Sequence, residues 1–218
     1  MRRGLFITFE GSEGCGKSTQ VQRLIARLEQ AGTEFIVTRE PGGTPIGEKI
    51  RDLLQFAPES VAMQPETELL LFEASRSQLV REVIEPARSR GALVISDRFY
   101  DSTTVYQGVA RRLDATVVAR LNDFAVGECR PDITFILDVD VTTARARMLR
   151  RVRPVSAPDR MEQEPAEFYE RVCVAYRELA AREPERVHLV DGTRGIDEIE
   201  ANIWRLLTTK FPDAWKKE

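Results

Sequence analysis

Gly11-Ser12-Glu13-Gly14-Cys15-Gly16-Lys17-Ser18 follows directly on the apolar run Leu5-Phe6-Ile7-Thr8-Phe9. The spacing is that of a phosphate-binding loop, G-x-x-x-x-G-K-[ST], and each part has a physical task. Glycines let the backbone curl until successive N–H groups point inward at phosphate oxygens. Lys17 supplies a point charge for the β- and γ-phosphates, and Ser18 offers a hydroxyl to Mg²⁺. Val21, Leu24, Ile25 and Leu28 then recur at i, i+3, i+4 and i+7, which predicts an amphipathic helix over residues 17–30. The positive end of its dipole faces the same anion. A glycine-rich turn with an exposed lysine is the alternative; the strand before the loop and the helix after it favour phosphate. Gly11, Ser12, Glu13, Gly14, Cys15, Gly16, Lys17, Ser18 and Thr19 are therefore the candidate triphosphate ligands.

The chain has 218 residues, with no linker, repeat or low-complexity tract to divide it, so residues 1–218 are expected to form one domain. That length can bury a sizeable core without disulfides. Three scattered cysteines (Cys15, Cys129, Cys173) and a lone His188 fit no metal spacing, which points to free thiols in a reducing cytosol. Met1-Arg2-Arg3 leads straight into the first strand, so no signal peptide is expected. No apolar run approaches the roughly 20 residues that span a bilayer. The expectation is a cytoplasmic protein with no membrane partner. A net charge of −3 argues against nucleic acid as a partner. Arginine dominates the positive charge and suits phosphate recognition, although composition bias alone would produce the same excess.

Apolar strand-like runs recur at 5–9, 35–38, 92–96, 133–138 and 187–190. Helical patterns separate them, over about 45–55, 66–90, 115–126, 141–150, 165–182 and 196–208. This alternation predicts an α/β fold: a five-stranded parallel sheet with helices on both faces. Ligands then bind at the carboxyl ends of the strands, so the other strand-end loops should carry the remaining chemistry.

The second strand ends in Thr38-Arg39-Glu40-Pro41-Gly42-Gly43-Thr44-Pro45, a defined turn with Arg39 and Glu40 at its mouth. That pair can serve a ligand or make a loop salt bridge. The third strand ends in Ser96-Asp97-Arg98-Phe99. Asp97 is placed either to hold Mg²⁺, usually through water, or to cap the next helix. An arginine at position 98, where a water-activating glutamate would support hydrolysis, favours transfer to a second bound anion. The segment 141–160 carries Arg145, Arg147, Arg150, Arg151, Arg153 and Arg160, with Arg147, Arg150 and Arg151 on one helical face, and then Pro154, Ser156 and Pro158. It reads as an arginine-bearing lid over about 147–162, or as a solvated basic helix paired with Glu162, Glu164 and Glu167.

With these loops in place the chain resembles the thymidylate kinase family, which phosphorylates dTMP to dTDP with ATP. The matches are Phe9-Glu10-Gly11, Glu13-Gly14, Thr38-Arg39-Glu40-Pro41-Gly42-Gly43-Thr44, Leu71-Phe72, Ala74, Arg76, Asp97-Arg98-Phe99, Asp101-Ser102, Tyr106-Gln107-Gly108, Arg130-Pro131-Asp132 and Asp159-Arg160-Met161-Glu162. They keep the family's order over about residues 4–190. The resemblance implies a P-loop nucleotide-kinase fold with a short lid, ATP as co-substrate, Mg²⁺ held on the side of Ser18 and Asp97, dTMP as acceptor, and a homodimer. It implies that Arg98 and Arg51 bind the dTMP phosphate, that Phe72 stacks on thymine, and that Arg76 and Gln107 meet its polar edge. Tyr106 would crowd C2′ of the sugar and Glu13 would approach its 3′ side, while Glu40, Ser102 and Thr103 complete the dTMP set. For Phe72 and Tyr106 plain core packing is the competing assignment.

The resemblance also puts catalytic roles on Lys17, Asp97, Arg98 and a helper arginine that the family carries either in the phosphate loop or in the lid. Ser12-Glu13-Gly14-Cys15 contain no base, so the chain looks like the bacterial lid type, with Arg147, Arg151 or Arg153 as the implied source of the charge. Two departures from the family pattern stand out. Val109-Ala110-Arg111-Arg112 replaces a glycine-arginine-glycine run, and the lid is a few residues longer than usual. The rival functions are another nucleoside or nucleotide kinase of this fold and, from a different class, a P-loop ATPase or GTPase switch. The second lacks support: Asn122 and Asn202 are the only asparagines and neither is followed by lysine, so no guanine-specific N-K-x-D exists. A non-catalytic nucleotide-binding adaptor is disfavoured by the two anion sites.

Overall fold

The computed structural model describes residues 3–150 and 160–215. Five parallel strands form its sheet: β1 (Phe6–Glu10), β2 (Phe35–Arg39), β3 (Leu93–Asp97), β4 (Ile133–Asp138) and β5 (Val187–Asp191), in the order β2-β3-β1-β4-β5. The helices are α1 (Lys17–Ala31), α2 (Pro45–Gln55), α3 (Pro65–Leu79), α4 (Glu85–Ser89), α5 (Tyr100–Thr103), α6 (Ala115–Val126), α7 (Val141–Leu149), α8 (Ala166–Arg182) and α9 (Ile196–Lys210). The chain leaves β1, builds β2 and β3 on one side, and then crosses to β4 and β5 on the other. The reversal opens a crevice at the carboxyl end of β1, where an open α/β sheet binds its ligand.

Side-chain alternation explains the two covered faces. Ile7 and Phe9 of β1 join Ile95, Phe135 and Leu137 against Val21, Leu24 and Leu28 of α1 and Ile199, Ile203 and Leu207 of α9. Phe6 points the opposite way and packs with Val94, Leu79, Val80 and Ile84. Ile136 and Val187 meet Phe168, Val172, Tyr176 and Leu179 of α8 on that same side. By the period-2 rule Thr8 and Glu10 share the Phe6 face, so Glu10 sits beneath α5 and α8.

The structure adjusts the sequence expectations in three places. Four strands run one residue past the apolar pattern, each into a charged residue: Glu10, Arg39, Asp97 and Asp191. The ladder holds them there, pairing Arg39 with Asp97, Glu10 with Ile136, and Asp138 with Asp191. The helix expected over 66–90 is interrupted by a π-turn at Val80–Ile84, where Glu85 N–H donates to the Val80 carbonyl. Pro86 follows immediately and cannot donate to the turn before it, a common setting for such a bulge. Finally, the segment after Arg98 is helical: α5 passes into a π-wound stretch, Thr104–Ala110. Val105, Tyr106, Gln107 and Ala110 are all buried there, a spacing that hides the α-period from a sequence reading.

Candidate active site

The loop between β1 and α1 takes its shape from glycine. Gly11, Gly14 and Gly16 have φ of 134°, 76° and 106°, in or near conformations closed to most side chains. A Cβ on Gly14 would also lie 2.4 Å from the Ala144 carbonyl oxygen of α7. The loop ends at α1, which has no side-chain N-cap and no acidic residue in its first turn, so the positive end of its dipole is left bare. Lys17, buried, donates from Nζ to the Gly11 and Ser12 carbonyls, both at 3.0 Å. Ser18 Oγ donates to Asp97 Oδ2 at 3.2 Å across 79 residues of sequence. Thr19 is exposed at the start of α1, and Cys15 is buried behind the loop.

Arg98 lines the same crevice, in a left-handed conformation with φ of 71°. A non-glycine residue there costs about 1 kcal/mol or more. Two bonds hold it: Arg98 N–H donates to the Phe9 carbonyl at 2.9 Å, and Ser96 Oγ donates to the Arg98 carbonyl at 2.6 Å. The guanidinium donates to Ser102 Oγ at 3.0 Å, to the Tyr106 hydroxyl at 3.3 Å, to the Tyr176 hydroxyl at 3.4 Å, and to Glu13. Burial alone would make Arg98 less basic. The oxygens of Tyr106 and Tyr176 and the carboxylates of Glu13 and Glu10 outweigh it and hold the pKa well above the usual value. Arg98 is a permanent, pre-aimed cation.

One cavity of about 310 Å³ joins the two halves. Glu13, Gly14, Gly16, Lys17 and Ser18 of the phosphate loop line it together with Glu40, Arg51, Phe72, Asp97, Arg98, Ser102, Thr103, Tyr106 and Gln107. Arg51 reaches it from α2 and donates to the Pro41 carbonyl at 3.0 Å. Phe72 is half-buried and belongs to none of the core clusters among the described residues. Tyr106 does both jobs: its ring packs edge-on with Phe168 and Tyr176, and its hydroxyl meets Arg98.

Three sequence expectations are changed by the geometry. Arg76 does not line the cavity. A guanidinium has five N–H donors, and Arg76 makes five bonds within the protein: two to Glu40, and one each to Glu73, Asn122 and Thr103. In this arrangement none is left for a base, and Arg76 instead braces Glu40 and Thr103. Glu40 therefore pairs with Arg76, while Arg39 pairs with Glu48 at 2.7 Å. Arg147, one of the three lid arginines expected as candidates for the transferring phosphoryl group, donates to the Cys15 and Gly192 carbonyls at 3.3 and 2.9 Å, clamping the loop to the turn after β5. Arg151 and Arg153 lie outside the described residues.

The sequence missed the supports of these groups. Glu10 takes Phe99 N–H on one oxygen and Ser102 and Tyr176 on the other, at 2.8, 2.6 and 2.8 Å. Its signal was a carboxylate ending an apolar strand. Tyr176 carried none, since an aromatic at helical spacing reads as core. Arg111, in the departure after Gly108, pairs with Glu68 and with Glu164 at 3.1 and 2.6 Å.

Ser18 and Asp97 offer two hard oxygens, and no cluster of three or more acidic, cysteine or histidine ligands exists among the described residues. That donor set fits Mg²⁺, which keeps several waters and takes substrate phosphates, and does not fit a metal needing a full protein cage. No helix among the described residues is long and apolar enough to cross a membrane.

A phosphate-binding loop at the switch point of the sheet, sharing one cavity with Arg51 and Arg98, has the fold and layout of a P-loop nucleotide kinase. The sequence model of the family described as Thymidylate kinase matches residues 9–203. The chain is 47% identical over 211 residues to a thymidylate kinase of Geobacter sulfurreducens, covering 96% of this chain and 99% of that one. It is 43% identical over 210 residues to one of Deinococcus radiodurans, again covering 96% and 99%. The crystal structure of thymidylate kinase from Ehrlichia chaffeensis superposes with a TM-score of 0.75 at 32% identity, covering 94% of this chain and 99% of that one. The chain belongs to the thymidylate kinase family.

Proposed function

We propose that this chain transfers the γ-phosphoryl group of ATP directly to the phosphate of dTMP, as a single catalytic domain. The observation that carries the reading is the shared cavity, lined by the Lys17 loop and also by Arg98, Arg51, Phe72 and Gln107. Donor and acceptor phosphates held there would meet in line without a covalent enzyme intermediate, so catalysis reduces to positioning and charge stabilisation. In this reading the loop amides and Lys17 hold the ATP phosphates. Arg98 and Arg51 hold the acceptor phosphate, and Phe72 stacks on the base. Ser102, Thr103, Tyr106 and Glu40 shape the sugar and base pocket, with Glu13 near the sugar. Ser18 and Asp97 would hold Mg²⁺, which when bound neutralises charge on the phosphate oxygens. Arg151 and Arg153 are the remaining lid candidates for charge at the transferring group, because Arg147 is bonded to backbone carbonyls. Exclusion of water from the cavity would suppress hydrolysis.

A coupled assay of ADP release across dTMP, dUMP, dCMP, AMP and thymidine tests the reading. dTMP should be the preferred acceptor, and preference for another acceptor, or acceptor-independent hydrolysis, overturns it.

The partner in solution is a second copy of the chain. What supports this is a row of exposed apolar side chains on three helices that pack side by side: Ile46 and Leu53 on α2, Leu70 on α3, and Val117 and Phe124 on α6. Arg51 and Phe72 extend from the same α2 and α3 into the cavity, so a dimer would stiffen the acceptor pocket. A cytoplasmic location belongs to the same proposal, supported by three free buried thiols.

A further inference from the structure

Glu68, near the start of α3, is 1% exposed. Its Oε1 accepts Gln107 Nε2 at 2.6 Å and Arg111 Nε at 3.2 Å; its Oε2 accepts Arg111 Nη2 at 3.1 Å and the Arg160 guanidinium. Burial alone would raise its pKa, but Arg111, the Gln107 amide and Arg160 outweigh that and hold it below the usual carboxylate range. The group is ionised, and an ionised carboxylate only accepts. Gln107 lines the cavity, and no hydrogen bond reaches its Oε1 among the described residues.

We propose that Glu68 is the positioning residue that fixes which way the Gln107 amide faces, and thereby makes the acceptor pocket choose a pyrimidine with an N3–H and a C4 carbonyl over one with a bare N3 and a C4 amino group. The inference rests on the dTMP reading above. With Nε2 committed to Glu68, Gln107 offers the base its Oε1 beside its second N–H. Thymine answers with N3–H as donor and a ring carbonyl as acceptor. Cytosine presents the reverse pattern and requires the amide to flip. The flip would set Gln107 Oε1 against Glu68 Oε1, two acceptors with no proton between them in a buried place. Glu68 therefore acts against the wrong base through Gln107, without touching either base.

A purely structural role is the rival, because the same carboxylate fastens the end of the lid. Arg160 also donates from Nε to the Leu54 carbonyl at 3.2 Å, and Arg111 holds Glu164 at 2.6 Å. The experiment measures kcat/KM for dTMP and for dCMP with the full-length wild type, Glu68→Gln, Arg160→Gln and Gln107→Leu. An amide at 68 can donate to a flipped Gln107, so Glu68→Gln should lower the dTMP:dCMP ratio by about tenfold or more. Arg160→Gln cuts the lid contact but leaves the Gln107 bond; both substrates should slow alike and the ratio should hold. An unchanged ratio in Glu68→Gln, or an equal fall in Arg160→Gln, overturns the proposal. Gln107→Leu should collapse the ratio; if it does not, the base is not read at Gln107 and the dTMP-site reading fails instead. Should Glu68→Gln not fold, the pair Glu68→Gln/Arg111→Gln, which drops one charge of each sign, carries the same comparison.

Discussion

Tyr176 donates its hydroxyl to Glu10 Oε2 at 2.8 Å, tying α8 to the last residue of the central strand β1. Ser102 Oγ donates to the same oxygen at 2.6 Å, and both hydroxyls in turn accept from Arg98. Burial pushes the Glu10 carboxyl up, while Arg98 and the hydroxyl donors pull it down. Tyr176→Phe removes one donor from a wholly buried carboxyl and one contact from Arg98. It should cost roughly 1–3 kcal/mol in chemical denaturation. If Arg98 grips the acceptor phosphate, KM for dTMP should rise several-fold while KM for ATP holds. Equal changes in both would mean that Tyr176 matters only for stability.

Lys17 is the corresponding test at the donor end. Among the described residues its Nζ bonds only loop atoms, the Gly11 and Ser12 carbonyls and Cys15 Sγ, so its loss leaves the sheet and helices intact. Lys17→Ala should lower kcat by about 10³-fold or more, the scale of removing one group from a preorganised charge site. Its circular dichroism spectrum should match the wild type. Substantial remaining turnover would remove Lys17 from the mechanism.

Arg88 makes the contrasting case at the amino ends of the strands, away from the cavity. It is buried, and donates to the Gly4 carbonyl at 3.0 Å, the Arg130 carbonyl at 2.9 Å and Asp132 Oδ2 at 2.8 Å. Asp132 Oδ2 also accepts Phe6 N–H at 2.7 Å. The Arg130-Pro131-Asp132 motif is thus scaffolding that anchors β1 beside β4. Arg88→Met should lower unfolding free energy by about 2–3 kcal/mol, since the buried Gly4 carbonyl and the part-buried Arg130 carbonyl and Asp132 carboxylate each lose a charged donor. The kcat measured below the melting transition should stay unchanged.

Glu40 sets a pH dependence of stability. Burial pushes its carboxyl up to about 7, against Arg76 and together with Glu73 and Glu10. Only its Oε2 accepts from Arg76, and Oε1 is buried with no partner among the described residues, which leaves room for a proton. The folded value lies above the ordinary 4.5, so the folded protein holds a proton that the unfolded chain has released. The resulting stability is present below pH 4.5 and is lost as pH rises through about 7. Glu40→Gln carries no proton to lose. Its Tm relative to wild type should therefore climb across that window; a constant difference would show that Glu40 does not titrate there.

Much of this arrangement was legible because the chemistry sits where local pattern is strongest. The loop at 11–18 lies between an apolar strand and an amphipathic helix, and Asp97-Arg98 ends an apolar run. What escaped was set by partners distant in sequence. Arg76 reads as a ligand until Glu40, 36 residues away, and Thr103, 27 away, take its donors. Gln107 gives no hint that Glu68 orients it from 39 residues back. The 104–110 stretch hides its helix because π-winding breaks the 3.6 period, and one turn then buries both Tyr106 and Gln107.

Phe124 tests the dimer. It is 77% exposed, on a stripe of α6 with Val117 and Leu121 at i−7 and i−3, a costly display for a face meant only for water. Arg81 donates to the Phe124 and Ala125 carbonyls at 3.3 and 2.7 Å, so the end of α6 is fixed to the helical segment after α3. A carboxylate at that position would meet its own copy across a two-fold axis, placing like charges in an apolar seam. Phe124→Glu should convert a dimer to monomers in light scattering coupled to size exclusion, with the monomer's fold retained by circular dichroism. Because α2 and α3 hold Arg51 and Phe72, KM for dTMP should rise with dissociation. A wild type that is monomeric at micromolar concentration, or a Phe124→Glu variant that still dimerises, would exclude this face as the interface.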